Sequence, residues 1–157
     1  MLYLVFKLLH VIAVVLFLGN IITGVFWKAH ADRTRNPAII AHAMGGIIEA
    51  DRLFTVPAVI LILVGGFGAA LVNHLPLLHT PWILGGIILF TISGIAFMGW
   101  LVPLQRKLAQ IARAAGGDST RMDWPRYERL SREWAIWGLI ALVAPLLALV
   151  LMVLKPI

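Results

Sequence analysis

Hydrophobic positions in this chain run in long unbroken blocks rather than at a period of two or 3.6. Four blocks, residues 2–26, 53–72, 82–102 and 135–154, carry almost no charge. A hydrocarbon layer of roughly 30 Å takes about 20 helical residues, so each block is long enough to span it. Only helices or closed barrels satisfy the backbone inside lipid, and blocks of this length without alternation predict helices. The chain therefore reads as a single all-α domain over 1–157, a four-helix transmembrane bundle.

Between the blocks the polar residues show helical spacing again. Pro37 suits a helix start, and 38–52 has helical composition, so the second helix is expected to begin well before the membrane and to kink at Pro57. The third is expected to run on past its apolar block, with Leu104, Leu108 and Ile111 on one face. Asn73–Pro81 and Gly116–Pro125 are rich in turn formers. Asp123-Trp124-Pro125 then marks a helix start, followed by Tyr127, Leu130, Trp134 and Trp137 at helical spacing. Glu128/Arg132 and Arg129/Glu133 are i,i+4 pairs there. These helical extensions should pack together outside the membrane.

Composition agrees: 61% hydrophobic and 13% charged is far from a soluble domain. The net charge is +6, and eleven of the thirteen basic residues sit in two loops. Lys28, Arg33, Arg35 and Arg52 lie in the first, and Arg106, Lys107, Arg113, Arg121, Arg126, Arg129 and Arg132 in the third. The second loop, 73–81, has none. That asymmetry is topology control, not a nucleic-acid surface, and it puts the basic loops in the cytoplasm and both termini outside. The absence of cysteine excludes disulfides and thiolate metal sites. Ala29-His30-Ala31 imitates a signal-peptidase site, but the apolar run before it is too long for a signal h-region. Trp27, Trp82, Trp100, Trp134 and Trp137 fall at block ends, as interfacial aromatics do.

Polar residues inside the blocks are the candidates for function, because each is costly there and needs a partner. His10 is the one histidine within a span, roughly 10 Å in from the outer end of its helix at 1.5 Å per residue, with Lys7 a turn before it. It reads either as a helix-to-helix hydrogen bond to Thr91, Ser93 or a backbone carbonyl, or as an axial ligand to haem iron. For the second reading Gly65, Gly66, Gly85 and Gly86, at the same level, would seat a flat macrocycle, and His74 in the outer loop is the nearest second ligand. Met98 belongs to the opposite half of the membrane, and a five-coordinate iron is also allowed. Nearer the cytoplasm, Asn20, Asp51 and Gln105 reach one level, where they form either an interfacial polar collar or a proton or substrate path. His30 and His42, near Asp32, Glu49 and Asp51, have no recognised ligand spacing.

Lys7-x-x-His10, with the apolar run to Gly19 and Trp27, resembles the first helix of HemJ-type protoporphyrinogen oxidases and of CopD-type membrane domains. A fuller resemblance, carried by Leu18-Gly19-Asn20, Trp27-Lys28, Ala50-Asp51-Arg52-Leu53-Phe54-Thr55-x-Pro57, Thr80-Pro81-Trp82, Val102-Pro103-Leu104-Gln105 and the end Leu149–Pro156, is to an uncharacterised bacterial family of four-helix integral membrane proteins. The first resemblance implies haem b on His10. HemJ-type proteins also use a lysine shortly after a helix-three Trp, whereas Trp82 is followed by Ile83, Leu84, Gly85 and Gly86. What carries over is haem binding and not protoporphyrinogen oxidation. The expectation is a haem b protein of the bacterial inner membrane, in electron transfer or a small oxidation, with a quinone or porphyrin as partner. The alternatives are an accessory subunit that docks a partner membrane protein, and a proton-coupled carrier, which with four helices would act as a homodimer.

Overall fold

The computed structural model describes residues 1–156. Six α-helices form four continuous rods: α1 (Leu2–Arg33), α2 (Pro37–Ala50) running into α3 (Val56–Val72), α4 (Pro81–Ala96) running into α5 (Val102–Ala114), and α6 (Trp124–Leu154). All four rods are long and apolar enough to cross a membrane. Every rod outlasts its apolar block, so the boundaries drawn from hydropathy mark the hydrocarbon, not the helix ends.

The starts follow capping chemistry. Asn36 accepts from the amides of Ala38 and Ile39, ahead of Pro37. Asp123 accepts from the amide of Arg126 at the head of α6. Gly116 and Gly117 take φ of 60° and 82° after α5, a left-handed turn that a β-carbon would resist.

The middle rods do not bend at a simple proline kink. Each contains one π-turn, Asp51–Thr55 and Phe97–Leu101, and each turn is followed by Val-Pro. The amide of Val56 reaches back to the Asp51 carbonyl and that of Val102 to the Phe97 carbonyl, five residues each. Pro57 and Pro103 have no N–H to complete the ordinary ladder behind them, and the widened turn accommodates the loss.

The rods pair before they bundle: α1 packs along α3, and α4 along α6. The pairs meet in an apolar core of Ala13, Phe17, Leu18, Ile21, Ala58 and Ile62, against which Phe90, Leu142 and Leu146 pack. Phe17 and Phe90 lie 5.6 Å apart at their ring centres. Toward the end that carries the basic loops, α2, α5 and the flanks of α1 and α6 enclose a second core around Ile40, Met44, Leu104, Leu108, Ala112, Tyr127 and Trp134. The expected packing of the extensions is this second core. Leu4, Leu8, Val15, Ile60, Leu71, Leu139 and Leu147 point outward, where lipid is their solvent.

Candidate functional site

His10 lies in the seam between α1 and α3. Its Nδ1 is 2.8 Å from the carbonyl oxygen of Ile62, one of the partners expected for it. Thr91 and Ser93 are engaged elsewhere: Thr91 donates to Ile87 on its own helix and Ser93 to the Ala141 carbonyl. A carbonyl can only accept, so in the neutral imidazole the bond places the proton on Nδ1 and leaves the lone pair on Nε2. Metal-bound histidines are held in the same way, by a backbone acceptor on the other ring nitrogen. The donor atom thus fits an axial ligand.

The glycines do a different job from a common seat. A β-carbon on Gly65 would stand 2.7 Å from the His10 backbone nitrogen, and one on Gly66 3.0 Å from its Nδ1. Gly85 and Gly86 face Leu151 and Met152 in the other helix pair. The four glycines therefore serve two separate seams, and neighbouring side chains already fill the space beside them. Nor is His74 brought to His10. It is exposed, at φ 52°, beyond the end of α3, and Val72 alone is already about 9 Å along the axis from Gly66 at 1.5 Å per residue. Among the described residues, no three His, Asp or Glu side chains gather as a metal group, including those around His30 and His42.

Asn20, Asp51 and Gln105, by contrast, come together. Asp51 is buried at the head of the first π-turn, where the widened turn carries it toward α1 and α5. Its Oδ1 accepts from Asn20 Nδ2 and Thr55 Oγ1, both at 2.9 Å, and its Oδ2 from Gln105 Nε2 at 2.9 Å. Asn20 Nδ2 also reaches Thr55 Oγ1 at 2.8 Å. Thr23, one turn along from Asn20, instead donates to carbonyls of its own helix. Sequence reading missed Thr55, which the i,i+4 spacing from Asp51 would have supplied.

A second polar cluster was not anticipated. Lys28 is only 3% exposed. Its Nζ meets Asp32 Oδ2 at 2.5 Å and Ser131 Oγ at 2.6 Å, with the rings of Tyr127 and Trp134 beside it. Tyr127 donates to the other Asp32 oxygen. The network ties the basic end of α1 to α6, beside a cleft of about 340 Å³ lined by Arg35, Trp124, Glu128 and Arg132 among others. Glu128 pairs across that cleft with Arg35, not along its own helix with Arg132. The i,i+4 spacing of Lys28 and Asp32 was visible, but nothing local marked this lysine as buried.

Four membrane-length helices, paired through glycine seams and pinned by buried polar contacts, define a small multi-span integral membrane protein. The chain belongs to the family described as predicted integral membrane protein (DUF2269), whose family model matches residues 4–156. No curated protein and no solved structure matches it.

Proposed function

We propose that this protein binds haem b through His10 and serves in electron transfer or a small oxidation, with a quinone or porphyrin as redox partner. The observation that supports this reading is the Nδ1 contact with the Ile62 carbonyl, which leaves Nε2 as a free, basic donor inside a membrane helix. The Lys7-x-x-His10 resemblance to haem-binding membrane proteins supports it from the sequence. When bound, haem would supply a one-electron couple, tuned by its axial ligand and the surrounding dielectric.

The chain's own residues would set the ligand. Gly65 and Gly66 let α1 lie against α3 closely enough for the ring to reach the Ile62 carbonyl. That contact fixes the ring's tautomer and orientation. By the positive-inside rule the site lies in the outer half of the membrane, and a bacterial inner membrane is the setting we infer.

The test is the absorption spectrum of the protein purified from haem-supplemented cells. A Soret band is expected in wild type, with loss in His10→Ala. A wild-type protein with no band overturns the reading. A band that survives His10→Ala unchanged overturns the ligand.

A further inference from the structure

Asp51 is a buried carboxylate without a counterion. Among the described residues, the ion pairs are Lys28–Asp32, Arg35–Glu128, Arg52–Glu49 and Arg121–Asp118, none of which includes it. The neighbouring Arg52 turns to Glu49 at 3.5 Å, and both side chains are exposed. Asp51 itself is 8% exposed, Gln105 3% and Thr55 1%. Buried charges are normally paired, since moving an ion out of water is expensive. Here three neutral groups from three rods hold the carboxyl group, and no cationic side chain among the described residues pairs with it.

The chemistry of those three groups is what makes the arrangement a site. Asn20 and Gln105 are amides, and each carries an oxygen on its other limb. A half-turn about the last side-chain bond exchanges an N–H donor for an oxygen acceptor. Thr55 Oγ1 donates to Asp51, accepts from Asn20 and keeps one further lone pair, with the second released if Asn20 turns. The same four residues can therefore present two faces. In one, the amide N–H groups point at the carboxylate, as observed. With a cation present, Asp51, Thr55, Asn20 and Gln105 can all offer oxygen.

An all-oxygen donor set selects a hard cation. Charge decides the valence. One positive charge against one carboxylate leaves the site neutral, which suits a place bordering hydrocarbon, while a divalent ion would leave it positive. A way in exists as well: a cleft of about 140 Å³ between α1 and α2 is lined by Asn20, Thr23, Trp27 and Ala50 among others. It reaches the Asn20 side of the cluster.

We propose that Asn20, Asp51, Thr55 and Gln105 form a binding site for a hard monovalent cation, sodium or potassium. The site is independent of the haem reading and lies in a different layer of the protein. It links α1, the π-turn between α2 and α3, and the start of α5, so its occupancy acts on the stability of the whole bundle.

The experiment is thermal unfolding of the full chain in detergent, in choline chloride and then with NaCl, KCl or MgCl2 at matched ionic strength. Binding to the folded state raises the midpoint by mass action. We expect a saturable rise of about 2 °C or more with NaCl or KCl, the difference between the two salts identifying the ion. The rise should be lost in Asp51→Asn. Thr55→Val, which keeps the carboxylate but removes one oxygen, should need a several-fold higher salt concentration for the same shift. It answers the question alone if Asp51→Asn does not fold. Equal midpoints in choline, sodium and potassium overturn the proposal, as does a response to magnesium alone. So does a rise that Asp51→Asn, or failing that Thr55→Val, leaves unchanged.

Discussion

Ser93 on α4 donates its hydroxyl to the carbonyl of Ala141 on α6 at 2.7 Å. Ala141 is four residues before Pro145, which stands inside α6 and has no N–H to give it. In lipid no water is on hand to satisfy that carbonyl, so the neighbouring helix supplies the donor. Ser93 is 1% exposed, and its hydroxyl fastens the α4–α6 pair at the point where the proline opens the helix ladder.

Ser93→Ala should therefore destabilise the protein by about 1–2 kcal/mol, the cost of leaving a buried acceptor unpaired. In a Pro145→Ala background the residue at 145 regains an N–H for Ala141, and the same Ser93→Ala change should cost clearly less. A double-mutant cycle on detergent unfolding measures the coupling. Additive effects would show that the serine does not serve the proline's gap.

The glycine seams should give a graded series. Gly65→Ala puts a β-carbon 2.7 Å from the His10 backbone, which cannot move without the helix. It should cost about 1–3 kcal/mol as an overpacked contact. Gly68→Ala meets the Phe6 ring first, at 2.5 Å, and a side chain can shift where a helix backbone cannot, so it should cost less. Gly19→Ala meets nothing within 4 Å. It should be neutral or stabilising by up to about 1 kcal/mol through helix propensity. Unfolding midpoints of the three variants give the order directly, and a Gly19→Ala cost equal to that of Gly65→Ala would refute it.

Lys28→Met keeps the length of the side chain but removes the charge that Asp32 and Ser131 hold. Asp32 still receives the Tyr127 hydroxyl and is partly exposed, so its loss is cushioned. We expect destabilisation of about 1–3 kcal/mol, with Lys28→Met/Asp32→Asn recovering part of it. If the double variant is no more stable than Lys28→Met, the unpaired Asp32 charge was not the cost.

In the loop after α5, the hydroxyl and the backbone amide of Thr120 both donate to Asp118 and hold its carboxyl below the ordinary value. The sign follows: a carboxylate whose folded value is depressed favours the folded state above its unfolded value, and that gain fades as pH falls through the folded one. Asp118 is exposed, so the effect belongs to the loop and not to global stability. NMR titration of its carboxyl carbon should show the lowered midpoint, and Thr120→Val should move it upward. A midpoint at the ordinary value in wild type contradicts the contact.

What the sequence alone determined is everything that hydropathy and local chemistry encode. The four spans, the helix starts at Pro37 and at Asp123-Trp124-Pro125 and the glycine turn at 116–117 are short-range, and each appears where the residues indicate. The inward face of α5 was equally legible. It lies outside the hydrocarbon, where polar and apolar faces differ, and Leu104 and Leu108 are buried as their spacing predicts. Inside lipid that signal vanishes, because a helix is apolar toward its neighbours and toward the bilayer alike. Helix rotation then cannot be read from pattern, and rotation decides which side chains meet. Only the tertiary structure could give His10 its carbonyl on α3, divide the four glycines between two seams, and bury Lys28 against α6. The gathering of Asp51, Thr55, Asn20 and Gln105 depends further on a π-turn that resets helical phase by one residue. A proline hints at such a turn, but packing decides where it forms.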